Sequence, residues 1–210
     1  MLNTIRNGRI TASTLIYCIL SVFILLAAAC KNENAPQDVN STENSNKDSS
    51  TSKNLGNYVV ELSISGEGSL QQFALMVHSK QDTFSAEGEI EPMVSWETAD
   101  LDADSMPEII LFTQSAGSGS YGNVIGFTLT PSRGLHQIIL PELSEDSTIQ
   151  AGYGGHDQFK LEGNRLIRRF PIYSEFSPNS QPSDTSRIVF YSFVPDPTSP
   201  RFKVDGAMLE

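Results

Sequence analysis

The chain has 210 residues, with 14 Lys and Arg against 25 Asp and Glu, so its net charge at pH 7 is −11. That balance argues against a nucleic-acid partner, and two cysteines are too few for a disulfide scaffold. The 39% of apolar residues are spread unevenly, which divides the chain into regions of different physical character.

Residues 1–29 have the form of an export signal. Arg6 and Arg9 give a positive start, and Leu15 to Ala29 give an apolar stretch shorter than the ~20 residues of a membrane span. The stretch ends Leu-Leu-Ala-Ala-Ala-Cys30, which resembles a bacterial lipobox with Ala27 where leucine is usual. Cys30 is therefore the expected lipidation site and mature N-terminus, and the lipid is the expected membrane contact. Lys31 is not the aspartate that retains such proteins at the inner membrane, so an outer-membrane anchor facing the periplasm is expected. The other cysteine, Cys18, lies inside the signal, which leaves the mature chain no free thiol.

Residues 30–55 are dominated by Asn, Ser, Thr, Asp and Lys, with Val39 the only large apolar residue before Leu55. Such a composition predicts a disordered tether. Residues 56–210 form the expected domain, long enough to bury about two-thirds of its unfolded surface. Without the signal the chain carries 12 basic and 25 acidic residues, a charge of −13 that favours cationic partners through encounter rate.

Within that domain the patterning is β almost throughout. Tyr58 to Ser65 alternates, with Val60, Leu62 and Ile64 on one face. Further strands are read at Phe73–His78, Met93–Thr98, Ile109–Phe112, Val124–Leu129 and Leu135–Leu140. Phe159 to Phe170 reads as a hairpin turning at Gly163-Asn164, followed by strands at Arg187–Val194 and Arg201–Val204. Only Pro141 to Ser147 offers a helical turn. About eight to ten short strands joined by Gly, Pro, Ser and Asp loops imply an all-β antiparallel sandwich.

The densest chemistry lies between Asp100 and Gly122. Asp100, Asp102 and Asp104 have the spacing of the first, third and fifth ligands of a Ca²⁺ loop, and Glu108 could close a shorter one. The sixth position is Ser105 instead of Gly, and the twelfth is Leu111 instead of Glu, so a solvated acidic turn is the competing reading. The apolar run Ile109–Phe112 then leads into an eight-residue loop, Ser115 to Gly122. Gly117, Gly119 and Gly122 are expected there to supply backbone angles closed to other residues. Ser118, Ser120 and Tyr121 offer hydroxyls, and Tyr121 a rigid ring, on a loop suited to entering a partner's cleft.

Gly117 to Gly122 also matches G-x-G-x-x-G, but a β-type run follows where a dinucleotide site needs a helix. His78, His136 and His156 lack the spacing of a zinc site. Ser118 lacks the G-x-S-x-G elbow of a serine hydrolase. Arg165, Arg168 and Arg169 read as a small basic patch balancing the acidic field. Nothing in the pattern points to an enzyme or to a resident cofactor other than Ca²⁺ in the acidic turn.

Two stretches together, Leu101-Asp-Ala-Asp-Ser-Met-Pro-Glu-Ile-Ile and Ser115-Ala-Gly-Ser-Gly-Ser-Tyr-Gly122, resemble the periplasmic inhibitors of invertebrate-type lysozyme. Gly155 to Phe159 and Arg169 to Tyr173 resemble segments of lipoproteins in that group, so the likeness runs over about 56–194. Ser105 departs from it, standing where a glycine is usual. The resemblance implies an antiparallel β-sandwich, often a homodimer, that plugs the lysozyme cleft with this loop. Its working serine and tyrosine, three apart, fall on Ser118 and Tyr121, with Gly117, Gly119 and Ser120 in the same contact. Two other classes stay open: a calcium-stabilised adhesion or binding module of the cell envelope, and an accessory lipoprotein to an envelope enzyme.

Overall fold

The structure is a computed structural model that describes residues 6–10, 49–130, 134–174 and 181–210. Most of the export signal, Cys30 and the tether up to residue 48 lie outside the described residues. The described chain is organised as three antiparallel meanders. The first sheet holds β1 (Arg6–Ile10), β2 (Ser49–Leu55), β3 (Tyr58–Ser65), β4 (Gln71–His78) and β5 (Thr83–Ile90), in the order β1-β5-β4-β3-β2. The central sheet holds β6 (Met93–Ala99), β7 (Glu108–Gln114), β8 (Gly122–Thr130) and β9 (Gly134–Ile138). The third holds β10 (Gln158–Glu162), β11 (Arg165–Pro171), β12 (Ser186–Val194) and β13 (Arg201–Leu209). The expected all-β antiparallel class is what the chain adopts. The helical turn expected near 141–147 is present as a 3₁₀ turn at Leu143–Glu145 and a short helix α1 (Ser147–Gln150).

The architecture goes beyond a two-layer sandwich. Val60, Leu62, Phe73, Leu75, Val77 and Phe84 of the first sheet form one core with Ile109, Leu111, Phe127 and Leu129 of the central sheet. The opposite face of the central sheet, through Ile110, Phe112, Val124 and Ile138, packs on Leu166, Phe170, Val189, Tyr191 and Phe202 of the third. The central sheet is thus buried on both faces. That is why β7 reads as an unbroken apolar run while β3 and β4 alternate: an alternating strand has one wet face, and β7 has none. At ~1.5–3 kcal/mol per fully buried large side chain, the two cores dominate the stability.

The tether is corrected at its C-terminal end. Residues 49–55 pair with Tyr58 to Ile64 of β3 as strand β2, despite the polar sequence Ser-Ser-Thr-Ser-Lys-Asn-Leu. Composition missed this strand because an edge strand needs backbone partners more than apolar side chains. Two further contacts fasten it: Trp96 Nε1 donates to Thr51 Oγ1 at 2.9 Å, and Lys53 Nζ lies 4.7 Å above the Trp96 ring. In the same sheet the backbone of Arg6–Ile10, inside the expected signal, pairs with the outer edge of β5.

Candidate functional site

β7 carries a feature at each end. At its start is the acidic turn, and at its end the hairpin loop to β8, seven residues and therefore ~23 Å away.

In the acidic turn the carboxylates act mainly as acceptors for the backbone. Asp100 Oδ1 and Oδ2 accept from the amides of Asp104 and Ser105, both at 3.0 Å, and Asp104 Oδ1 accepts from Met106 at 2.7 Å. These bonds hold Ala103 and Ser105 at φ of 64° and 68°, so Ser105 takes the left-handed conformation for which glycine is favoured. Glu108 is fully buried, with Oε2 accepting from the Leu101 amide and Oε1 from the Thr128 hydroxyl, each at 2.7 Å. Burial pushes its carboxyl up to about 7 in spite of both bonds. Asp102 is also raised, first by burial and then by the charge of Asp104. One carboxylate oxygen from each of Asp100, Asp102 and Glu108 lies within 4.8 Å of the others, close enough to share a cation. Asp104, the remaining member of the expected ligand set, is not part of that group.

The loop at the other end is held by its own backbone. Ser115 N donates to Tyr121 O at 2.8 Å, Tyr121 N to Ser115 Oγ at 2.9 Å, and Ser120 N to Gly117 O at 2.9 Å. Gln114 Nε2 reaches Ser120 O at 3.2 Å. The expected role of the glycines is corrected here. Gly117, Gly119 and Gly122 do not take left-handed φ angles; Ser120, at φ 41°, does. Gly119 and Gly122 are required by space. A Cβ on Gly119 would strike the Tyr121 ring, and one on Gly122 would lie 2.7 Å from the Asp157 Cβ. Gly117 has nothing within 4 Å of such a Cβ. Ser118 is exposed, and Tyr121 keeps 46% of its surface exposed. The hairpin therefore shows solvent a hydroxyl and half a phenol ring on a fixed backbone.

A second segment, residues 151–157, braces the first. His156 N donates to Gly119 O at 2.8 Å, and Gly155 packs against the same peptide at φ 93°. Asp157, with its side chain wholly buried, accepts from Gly122 N at 2.9 Å and Tyr153 O–H at 2.7 Å through Oδ2, and from Arg168 Nε at 2.7 Å through Oδ1. Arg168 also donates from Nη2 to the Tyr153 oxygen at 2.9 Å. Its guanidinium carbon sits 5.0 Å from the centre of Tyr153, 5.1 Å from Phe159 and 5.7 Å from Phe170. Desolvation pulls the arginine pKa down, yet the bond to Asp157 and its charge leave it raised overall. Tyr153 is raised too, chiefly by burial and then by its bond to Asp157. Losing one member of a buried pair like this costs ~3–5 kcal/mol.

This corrects the reading of Arg168 as a surface charge. Arg165 and Arg169 are exposed on the hairpin, but Arg168 is buried between the sheets. Its period-two placement between Leu166 and Phe170, both fully buried, is the signal that could have marked it as inward-facing. Beside Tyr121 and Tyr153 opens a groove of about 370 Å³ whose rim includes Glu91 and Glu142.

The arrangement presents neutral hydroxyl donors over an acidic surround. The described residues hold no helix long and apolar enough to cross a membrane. A family model, described as periplasmic lysozyme inhibitor of I-type lysozyme, matches residues 40–150. The chain belongs to the family of periplasmic I-type lysozyme inhibitors. Comparison with individually curated proteins gave no match. The family is one of inhibitor proteins and not of enzymes, and it places the chain in the bacterial cell envelope. The inhibitor-family match takes in β2, both ends of β7 and the whole Ser115–Gly122 loop. It stops short of Tyr153, Asp157 and Arg168, so the brace under the loop is supplied by chain beyond the matched segment.

Proposed function

We propose that this protein inhibits an I-type lysozyme by inserting the Ser115–Gly122 loop into the enzyme's cleft, with Ser118 and Tyr121 making the principal contacts and Gly117, Gly119 and Ser120 shaping the tip. The observation that carries this reading is the fixed exposure of Ser118 and Tyr121 on a loop with no charged residue. Lysozymes cleave glycosides with two carboxyl groups flanking the scissile bond. A neutral loop can donate hydrogen bonds to those acids without adding a repelling charge, and each bond to a charged group contributes ~1.5–3 kcal/mol. Tyr121 brings aromatic area into a desolvated pocket, the common setting of an interface hot spot. The acidic rim at Glu91 and Glu142 suits a cationic enzyme surface, with an effect on encounter rate that salt should screen.

In this reading the domain includes strand β2 from Ser49 onward, and a lipid on Cys30 holds it at the outer membrane facing the periplasm, guarding peptidoglycan. A second reading, a calcium-stabilised envelope module, is favoured by the close carboxylates of Asp100, Asp102 and Glu108. It concerns the far end of β7 and leaves the contact loop as assigned.

The test is lysis of bacterial cell walls by an I-type lysozyme titrated with the soluble domain. Ser118→Ala and Tyr121→Ala should each weaken inhibition about ten- to a hundredfold, or ~1.4–2.8 kcal/mol, with folding unchanged. Absence of inhibition at micromolar domain, or inhibition indifferent to both substitutions, would refute the assignment.

A further inference from the structure

We infer that Asp157, Arg168 and Tyr153 are positioning residues for inhibition: a clamp built from the 151–157 segment and strand β11 that fixes the root of the contact loop and the angle of Tyr121. This rests on the reading that the loop is the contact surface, and it assigns a role to residues outside that surface.

The clamp joins elements that the β7–β8 hairpin alone would not tie together. Gly122 is the last residue of the loop and the first of β8, and its amide bonds to Asp157 Oδ2, 35 residues further along the chain. That same oxygen takes the Tyr153 hydroxyl, while Arg168 closes the triangle by donating to Asp157 Oδ1 and to the Tyr153 oxygen. Tyr153 in turn presents its ring edge-on to Tyr121, with centroids 5.9 Å apart and planes at 61°. On its other side Tyr153 stands edge-on against Phe170 at 4.9 Å, so it cannot swing away without disturbing the core.

Each partner therefore limits the next. Arg168 is confined by Tyr153, Phe159 and Phe170, Asp157 is confined by Arg168, and the loop root is confined by Asp157. A polar triad in this position is costly to bury, and three apolar side chains could fill the same space. What apolar residues could not do is accept the Gly122 amide and orient the phenol beside it. A contact surface fixed before binding loses less conformational freedom on association, so pre-organisation should appear as affinity.

Removing one charge alone would leave the other buried and unpaired. The informative variant is therefore the double substitution Asp157→Leu with Arg168→Met, which removes both charges and the acceptor of the Gly122 amide and keeps similar volume. Hydrogen exchange and lysozyme inhibition are measured on the folded domain, with and without Tyr121→Ala. The clamp predicts that Gly122 and Tyr121 amides exchange at least tenfold faster in the double variant while amides of β3 and β4 are unchanged. It predicts inhibition weakened ten- to a hundredfold, and a further loss of less than threefold on adding Tyr121→Ala, because the ring is already misplaced. Should the double variant not fold, Tyr153→Phe removes a single hydroxyl, and the clamp predicts the same pattern at about threefold. Unchanged exchange at Gly122, or effects of the double variant and Tyr121→Ala that multiply independently, would overturn the clamp. A wild-type domain that fails to inhibit refutes the loop assignment instead, while the exchange result still decides whether the clamp holds the loop.

Discussion

The carbonyl oxygen of Gly119 occupies the space where a Cβ on Gly155 would stand, and the neighbouring His156 amide donates to that same oxygen at 2.8 Å. The contact loop and its brace thus meet backbone to backbone. Gly155 also sits at φ 93°, where any other residue is strained by about 1–3 kcal/mol. Gly155→Ala should lower the stability of the domain by an amount of that order and push the loop off its brace. Inhibition should fall tenfold or more, read from a lysozyme titration alongside a melting curve. Unaltered inhibition would mean that the loop does not depend on this contact.

The loop glycines separate into two kinds. Gly117→Ala meets open space at an unstrained φ and should leave stability within about 0.5 kcal/mol, as for other surface changes. Gly119→Ala places a methyl group against the Tyr121 ring and should rotate it out of position. Inhibition constants for the two variants should therefore differ by at least tenfold, Gly119→Ala being the weaker. Equal constants would show that the orientation of Tyr121 is immaterial.

How much of this could be read in advance depended on where the information lies. The alternation of Val60, Leu62 and Ile64 marks a strand with one wet face, and Ile109 to Phe112 marks one without, so the β class was legible. The third layer was not, because an unbroken apolar run does not say what covers each face. Strand β5 has small or polar residues at Ser85, Ala86, Glu87 and Gly88, and β2 is almost wholly polar; both owe their conformation to pairing with a neighbour. In the candidate site, the hydroxyl of Ser118 and the ring of Tyr121 could be read together because both lie in one short loop. The clamp was not, since Gly122, Asp157 and Arg168 are brought together only by the packing of two sheets.

Glu108 makes stability depend on pH in a definite direction. Its carboxyl is raised from 4.5 to about 7 by burial, so between these values the folded state keeps a proton that the unfolded chain has released. The resulting stabilisation is complete below about 4.5 and is lost as pH rises through 7, a swing on the order of 3 kcal/mol. Melting temperature should fall from pH 5 to 8, and Glu108→Gln should flatten that slope. The slope should be the same in chelator and in millimolar calcium, and inhibition should be equal in both. A slope abolished by calcium would show that the cation holds Glu108 ionised, which promotes the calcium-stabilised reading.

Membrane attachment is expected to reside in one atom, the Cys30 sulfur. Cys30→Ser should move the protein from the membrane fraction to the soluble periplasmic fraction with inhibitory strength preserved, because the loop and its brace lie beyond residue 114. Unchanged fractionation with membranes would contradict lipid anchoring.

Occupation of the cleft itself is best tested by competition. The affinity of the soluble domain for an I-type lysozyme can be measured by calorimetry, first alone and then with a chitooligosaccharide present at about ten times its own Kd. If the Ser115–Gly122 loop enters the cleft, sugar and inhibitor exclude one another, and the apparent Kd should rise about tenfold. An affinity unchanged by the sugar would place the contact elsewhere on the enzyme and contradict the account.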